Sequence, residues 1–179
     1  MTCIVAVNHK GRLWMGGDAC VTFSNECRAT CDPKVWKAGC FLIGCCGDTP
    51  FQTLLQMRLK WPSDLANVLE HITVSLPAEM RRIARQDAVP MPEGAALIAC
   101  KGDLYLLDTE RESCDSTQAD LSVERVTEQY AAVGSGAEIG LGALYATRGA
   151  APAKRLVKAL EAASLHRGDV APPFTVLSL

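Results

Sequence analysis

The chain opens Met1-Thr2-Cys3-Ile4-Val5-Ala6-Val7, turns through Asn8 to Arg12, and resumes as Leu13-Trp14-Met15-Gly16-Gly17-Asp18. Two short apolar runs separated by Lys10-Gly11 predict two strands joined as a hairpin. No basic region precedes the first run, and the run is short and breaks at charged residues, so it does not read as a signal peptide. Thr2 gives this hairpin a chemical reading. Its small side chain suits methionine aminopeptidase, so Met1 is expected to be removed. The threonine left first would carry a free α-amine at the head of a buried strand, a hydroxyl nucleophile with its own candidate base. A Met-Thr start is common and means little alone; its weight depends on residues further along.

The 179 residues suit one domain, 1–179, with a sizeable core, and no linker-like stretch divides them. A formal net charge of −2 gives no reason to expect nucleic acid or an anionic membrane as a partner. No apolar run approaches the length of a membrane span. The nine cysteines are odd in number and scattered through apolar runs, as at Cys3, Cys40, Cys45, Cys46 and Cys100. They read as reduced thiols of a cytoplasmic protein, used mostly as small hydrophobes. There is no C-x-x-C pair, three residues separate Cys27 from Cys31, and the histidines lie far apart, so neither a metal site nor a cofactor is expected.

Beyond Asp18, Ala19 to Asn25 has the character of a connection, and Glu26 to Thr30 reads as a strand. Asp32-Pro33 marks a turn. Lys34-Val35-Trp36-Lys37 alternates like a half-buried strand, and Cys40 to Cys46 is a continuous apolar run that suits a strand covered on both faces. After Gly47, Asp48 can cap a helix with Pro50 in its first turn and Phe51, Leu54, Leu55 and Leu59 on one face. Ser63 is placed to cap the next, whose stripe is Leu65, Val68, Leu69, Ile72 and Leu76; Pro77 kinks or restarts it. Strands are expected at Ala95 to Cys100 and Leu104 to Asp108, an exposed loop or hairpin from Thr109 to Asp120, and a strand at Gln129 to Val133. Helices follow Gly136 and open at Pro152, and Phe174 to Leu179 closes the chain as a strand. Two strand blocks, each trailed by a helix pair, predict two packed sheets with helices outside, an α/β sandwich.

Taken together, the strand at Thr2, the Gly16-Gly17-Asp18 ending, Lys34-Val35-Trp36-Lys37, Gly44-Cys45-Cys46-Gly47 and Gly134-Ser135-Gly136 resemble a proteasome β-type subunit of the N-terminal nucleophile hydrolases. The similarity is to the small bacterial members, the peptidase subunit of HslUV and the betaproteobacterial proteasome homologues. It spans nearly the whole chain. Counted from Thr2, Asp18 and Lys34 fall on the family's aspartate and lysine positions without a gap. The resemblance implies a four-layer αββα sandwich, a threonine endopeptidase, and a homo-oligomer of two stacked hexameric or heptameric rings acting on peptide or unfolded protein. An ATPase unfoldase is the candidate partner that would feed it.

The roles have a physical basis. An α-amine has an unperturbed pKa of about 7.7–8.0, near working pH, and a nearby ammonium pushes it toward its neutral, proton-accepting form. Lys34 is the candidate ammonium, and Asp18 would hold it in place and keep it charged. In some accounts of the family the lysine itself takes the hydroxyl proton, and the sequence leaves both routes open. Gly47, at a strand-to-helix corner, is the candidate oxyanion donor through its backbone N–H. Ser135 matches the family serine that hydrogen-bonds near the α-amine. Singly, each residue has a plain structural reading: a turn aspartate, a solvated lysine, a frequent Gly-Ser-Gly loop, a helix spacer. Their joint spacing favours the catalytic one.

Departures from the family are also visible. An aspartate and a serine that eukaryotic members carry late in the chain are missing from Leu165-His166-Arg167-Gly168-Asp169. Ala19-Cys20-Val21-Thr22 alters the wall beside the nucleophile. Cys45-Cys46 replaces residues that commonly shape the specificity pocket, so a small-to-medium apolar pocket is expected. Two other functions fit the same fold: a catalytically silent structural ring subunit, and an amidohydrolase acting on a small amide. Retention of Thr2, Asp18, Lys34 and Ser135 argues against the first, and the lack of room for a long propeptide or extra domain argues against the second.

Overall fold

The Lys10-Gly11 turn folds as its sequence predicts. Both residues have positive φ, 54° and 82°, the geometry that a two-residue hairpin turn demands. They join β1 (Ile4–His9) to β2 (Arg12–Gly17), antiparallel from Ile4↔Gly17 to His9↔Arg12. The computed structural model describes residues 2–23, 26–30, 32–110 and 120–179. The hairpin is the centre of a four-stranded sheet. β10 (Tyr130–Val133) lies on its β1 side and β11 (Thr175–Ser178) on its β2 side.

A second, five-stranded sheet runs β5 (Val35–Ala38), β6 (Phe41–Gly47), β7 (Gly94–Cys100), β8 (Asp103–Glu110) and β9 (Asp120–Arg125), every neighbour antiparallel. The two sheets face each other across Ile4, Ala6, Met15, Val35, Leu42 and Leu97. Helices cover both outer faces. On the five-stranded sheet lie α1 (Thr49–Thr53), α2 (Val68–Glu70) and α3 (Leu76–Gln86), closing over Phe41, Ile43, Phe51, Leu55, Ile72 and Met80. On the other, α4 (Ala137–Ala146) and α5 (Pro152–His166) bury Leu144, Leu156, Ala159 and Leu160 against Val5 and Val7. This is the expected αββα sandwich. Among the described residues no helix is long and apolar enough to cross a membrane.

Asp48 caps α1 as expected, accepting from the Phe51 N–H at 2.7 Å, and the helix runs on as a π-helical turn over Leu54–Arg58. Of the two roles expected for Pro77, it takes the second, restarting the helix. It sits in the first turn of α3, directly after a π-helical stretch at His71–Ser75. Two expectations need correction. Ser63 caps nothing: the helix begins at Val68, where Asn67 accepts from the Glu70 N–H at 3.1 Å and donates back to the Glu70 carboxylate at 3.0 Å. This reciprocal closure of the first turn resembles a capping box and leaves Leu65 ahead of the helix. Cys20–Phe23 is not a plain connection but β3, paired with β4 (Glu26–Ala29) in a separate two-stranded sheet. Of the loop or hairpin expected from Thr109 to Asp120, the described part is a hairpin, in which Thr109 and Glu110 extend β8 and pair with Leu121 and Asp120 of β9; residues 111–119 lie outside the described ones. β9 itself was hidden by its charges, because only Leu121 and Val123 face the core.

The Asn67 cap is the sharpest local claim. Replacing Asn67 with Ala should destabilise the protein by about 1 kcal/mol, while Ser63→Ala should stay within about 0.5 kcal/mol of wild type. Urea unfolding of both variants checks this, and equal effects would contradict the reassigned helix start.

Candidate active site

The site forms where four chain segments end against one another. β1 and β2 bring Cys3 beside Asp18, and the Cys3 N–H donates to Asp18 Oδ1 at 2.9 Å. The second sheet contributes Lys34, just before β5, fixed by the Cys45 N–H bonding its carbonyl at 3.0 Å. The sheets approach closely here because Gly17 lacks a side chain. A Cβ on it would lie 2.8 Å from both Ile4 Cδ1 and Val35 Cγ2. The third arrival is Cys20, whose N–H donates to Asp18 Oδ2 at 2.9 Å.

Lys34 reaches the centre of this arrangement. Its Nζ donates to Thr2 Oγ1 at 2.7 Å, to Asp18 at 3.1 and 3.2 Å, and to the Cys20 carbonyl at 2.5 Å. Three acceptor groups thus match the three hydrogens of an ammonium. Thr2, Asp18 and Lys34 are 4%, 2% and 6% exposed, so the pair is held with little water to screen it.

Ser135 comes from the opposite side, on the turn between β10 and α4. Its hydroxyl accepts from the Thr2 N–H at 3.2 Å and lies 3.3 Å from the Thr2 carbonyl, which also accepts from the Gly136 N–H at 3.2 Å. This approach depends on Gly134, whose φ is +93°, since a Cβ there would fall 2.2 Å from the Thr2 carbonyl oxygen. Thr2, Asp18, Lys34 and Ser135 are therefore brought into one network. Gly47 is not bonded to it but lines the same 280 Å³ cavity as Thr2 and Lys34. Its φ of +136°, with the Glu93 carbonyl where a side chain would start, restricts the corner to glycine.

Two residues at the site escaped the sequence reading. The first is Asp169, in the stretch that was judged to lack the late aspartate. Burial pushes its carboxyl up, but hydrogen bonds, that of Arg167 first, outweigh this and hold it below the usual carboxylate range. The Ser135 hydroxyl itself donates to the Thr2 carbonyl at 3.3 Å, so Asp169 lies beside the network rather than within it. An acid just past the end of α5 was the available signal. The second is Cys20, which acts through its backbone and so leaves no side-chain signature. Cys20 is also disulfide-bonded, against the expectation of reduced thiols, whereas Cys3, Cys40, Cys45, Cys46 and Cys100 are free.

The cavity wall includes thiols, which bears on the nucleophile. Burial pushes Cys45 up to about 12 and raises Cys46 as well, and Cys3, behind Thr2, is likewise pushed to about 12. None of them is a thiolate at neutral pH. The Thr2 hydroxyl is the nucleophile candidate with the Lys34 ammonium in contact.

No protein-family model matches the sequence, and no curated protein matches it. Solved structures do match over nearly the full length. Thiobacillus denitrificans BPH in complex with epoxomicin superposes with a TM-score of 0.80 at 17% identity, covering 99% of this chain and 98% of that one. The structure of Thiobacillus denitrificans BPH without that compound named gives 0.79 at 16% identity, with 99% and 97% covered. Eukaryotic HslV from Trypanosoma brucei gives 0.70 at 18% identity, with 99% of both chains covered. In fold, the chain is a four-layer αββα sandwich similar to those of BPH and HslV.

Proposed function

We propose that residues 2–179 act as a single threonine-type peptidase domain, the subunit of a self-compartmentalising cytoplasmic protease. The observation that carries this is the 2.7 Å contact between Lys34 Nζ and Thr2 Oγ1, with Asp18 and the Cys20 carbonyl occupying the remaining lysine hydrogens. Removal of Met1 turns the Thr2 nitrogen from an amide into an amine with a lone pair. The amine takes the Oγ1 proton as the oxygen attacks a peptide carbonyl, and Lys34 stabilises the negative charge that develops on Oγ1. The Gly47 N–H, on the cavity wall, is the donor proposed for the carbonyl oxygen, a role worth roughly 2.7–4 kcal/mol in such sites. Collapse expels the peptide amine, which receives the proton from the α-amine, and leaves an acyl ester on Thr2. Water, deprotonated by the same amine, releases the product. Ser135 orients the amine.

The proposed assembly of two stacked hexameric or heptameric rings is supported by large apolar side chains on both outer layers. Met57, Leu69 and Val74 are 75%, 48% and 61% exposed on one helical face, and Tyr145 and Leu165 are 59% and 80% exposed on the other. Two different sticky faces suit head-to-tail closure into rings and stacking between them. An ATPase unfoldase is the class of partner that would deliver folded substrates to such a chamber.

Intact-mass spectrometry of untagged protein, run beside a peptidase assay, tests the mechanism. The active form should lack Met1 and form an adduct with epoxomicin at Thr2. Thr2→Ala and Lys34→Ala should lose activity by about 10³-fold or more with the fold retained. Full activity in protein that keeps Met1 would overturn the reading. Size-exclusion chromatography with light scattering should find a mass of 12 or 14 subunits; a stable monomer that cleaves peptides would exclude the compartment.

A further inference from the structure

Two free thiols touch at the end of the five-stranded sheet remote from the site. Cys100 Sγ donates to Cys40 Sγ at 3.6 Å. Cys40 leads into β6 and Cys100 ends β7, neighbouring strands in the register Leu42↔Ala99. The other end of this strand pair, about 20 Å away at the usual rise per residue, carries Gly47↔Gly94. The backbone is pinned on both sides of the contact. Gly39, with a φ of +56°, turns the chain against Pro62, whose carbonyl accepts from the Cys40 N–H at 2.9 Å. Cys100 pairs with Asp103 across the Lys101-Gly102 turn, and Lys101 is held by Asp64 at 3.1 Å. The two sulfurs differ in access, since Cys40 is half-buried and Cys100 is fully buried. Burial, and then the bond to Cys40, push Cys100 up to about 12, so it keeps its proton at neutral pH.

We propose that Cys40 and Cys100 form an oxidisable dithiol, reduced at rest, that reacts with hydrogen peroxide at Cys40 and closes to a disulfide between β6 and β7. This stands apart from the peptidase reading and agrees with thiols kept reduced in a cytoplasm. The Cys40 sulfur attacks one peroxide oxygen, the O–O bond breaks, and hydroxide leaves as water with the thiol proton. Cys40 is then a sulfenic acid. The Cys100 sulfur attacks the Cys40 sulfur, the S–S bond forms as the S–O bond breaks, and the Cys100 proton leaves with hydroxide as a second water. Two thiols thus lose two electrons and two protons, and one peroxide becomes two waters. Neighbouring strands stand about 5 Å apart, within the range of roughly 4.4–6.8 Å that a disulfide spans between Cα atoms. Closing the sulfurs to about 2.05 Å therefore falls to the side chains. The bond closes a loop from Cys40 to Cys100 that contains α1, α2 and α3, the layer otherwise held on the sheet by apolar packing. Restricting that loop in the unfolded chain stabilises the folded one.

The test exposes the full-length reduced protein to stoichiometric hydrogen peroxide, alkylates it in denaturant and digests it without reduction. The expected product is a cross-linked pair of peptides carrying Cys40 and Cys100, reversed by dithiothreitol. Oxidised protein should melt roughly 5–10 °C above reduced protein. In Cys100→Ala the reaction should stop at a Cys40 sulfenic acid that dimedone labels. In Cys40→Ala, Cys100 should remain a thiol and peroxide should leave the melting temperature unmoved. If Cys100→Ala fails to fold, the cross-link map of the unchanged protein and Cys40→Ala decide. Both cysteines recovered as thiols, a cross-link from either to another cysteine, or Cys40 driven to sulfinic acid beside an intact Cys100 would each overturn the inference. A Cys40–Cys100 bond that forms without raising the melting temperature would overturn its stabilising role.

Discussion

A buried ion pair sets the terms for the rest of this structure. Asp18 and Lys34 meet at 3.1 Å with side chains 0% and 6% exposed. Removing two charges from water costs several kcal/mol each, and their attraction offsets this only if the remaining hydrogen-bonding capacity is also met. Here it is met by groups from separate parts of the chain: the N–H groups of Cys3 and Cys20 on the carboxylate, the Cys20 carbonyl and Thr2 hydroxyl on the ammonium. Each acceptor or donor supplied to the pair also fixes the segment that supplies it. The head of β1, the end of β2, the start of β3 and the approach to β5 are thereby locked together, and Thr2 is presented to the cavity as one consequence.

The same constraint explains why the second half of the chain matters. The Thr2 nitrogen needs a partner that can accept from it as an amide and steady it as an amine. Ser135 can do both, because a hydroxyl donates and accepts. Its approach is set by the missing side chain at Gly134. A catalytic reading of Thr2 therefore draws on both sheets and on the turn into α4, which is what the αββα order achieves by bringing the strand ends to one edge.

Much of this was legible beforehand. The alternation in Val35–Ala38 and the solid apolar run of Phe41–Gly47 are the signals of half-buried and fully buried strands, and their meaning did not depend on partners far away. Thr2, Asp18 and Lys34 were legible as a register, a property of spacing. What stayed hidden depends on contacts or on the backbone. Cys20 works through its peptide groups, which are the same for any residue. Leu121 and Val123 are too few among charges to announce β9, and the helix starts at Asn67, which Glu70 answers, rather than at Ser63. Asp169 was present in the sequence but was set aside, because the stretch around it lacks the aspartate-and-serine pattern sought there.

The central claim is that the Thr2 oxygen becomes covalently acylated under the influence of Lys34. Acid-quenching the protein during turnover of a slowly deacylated peptide ester, followed by peptide mapping, tests it directly. The account predicts an acyl group on the N-terminal peptide at Thr2, absent from Lys34→Ala treated in the same way. Turnover with no acyl group on Thr2, or with the acyl group on a cysteine of the cavity wall, would contradict it.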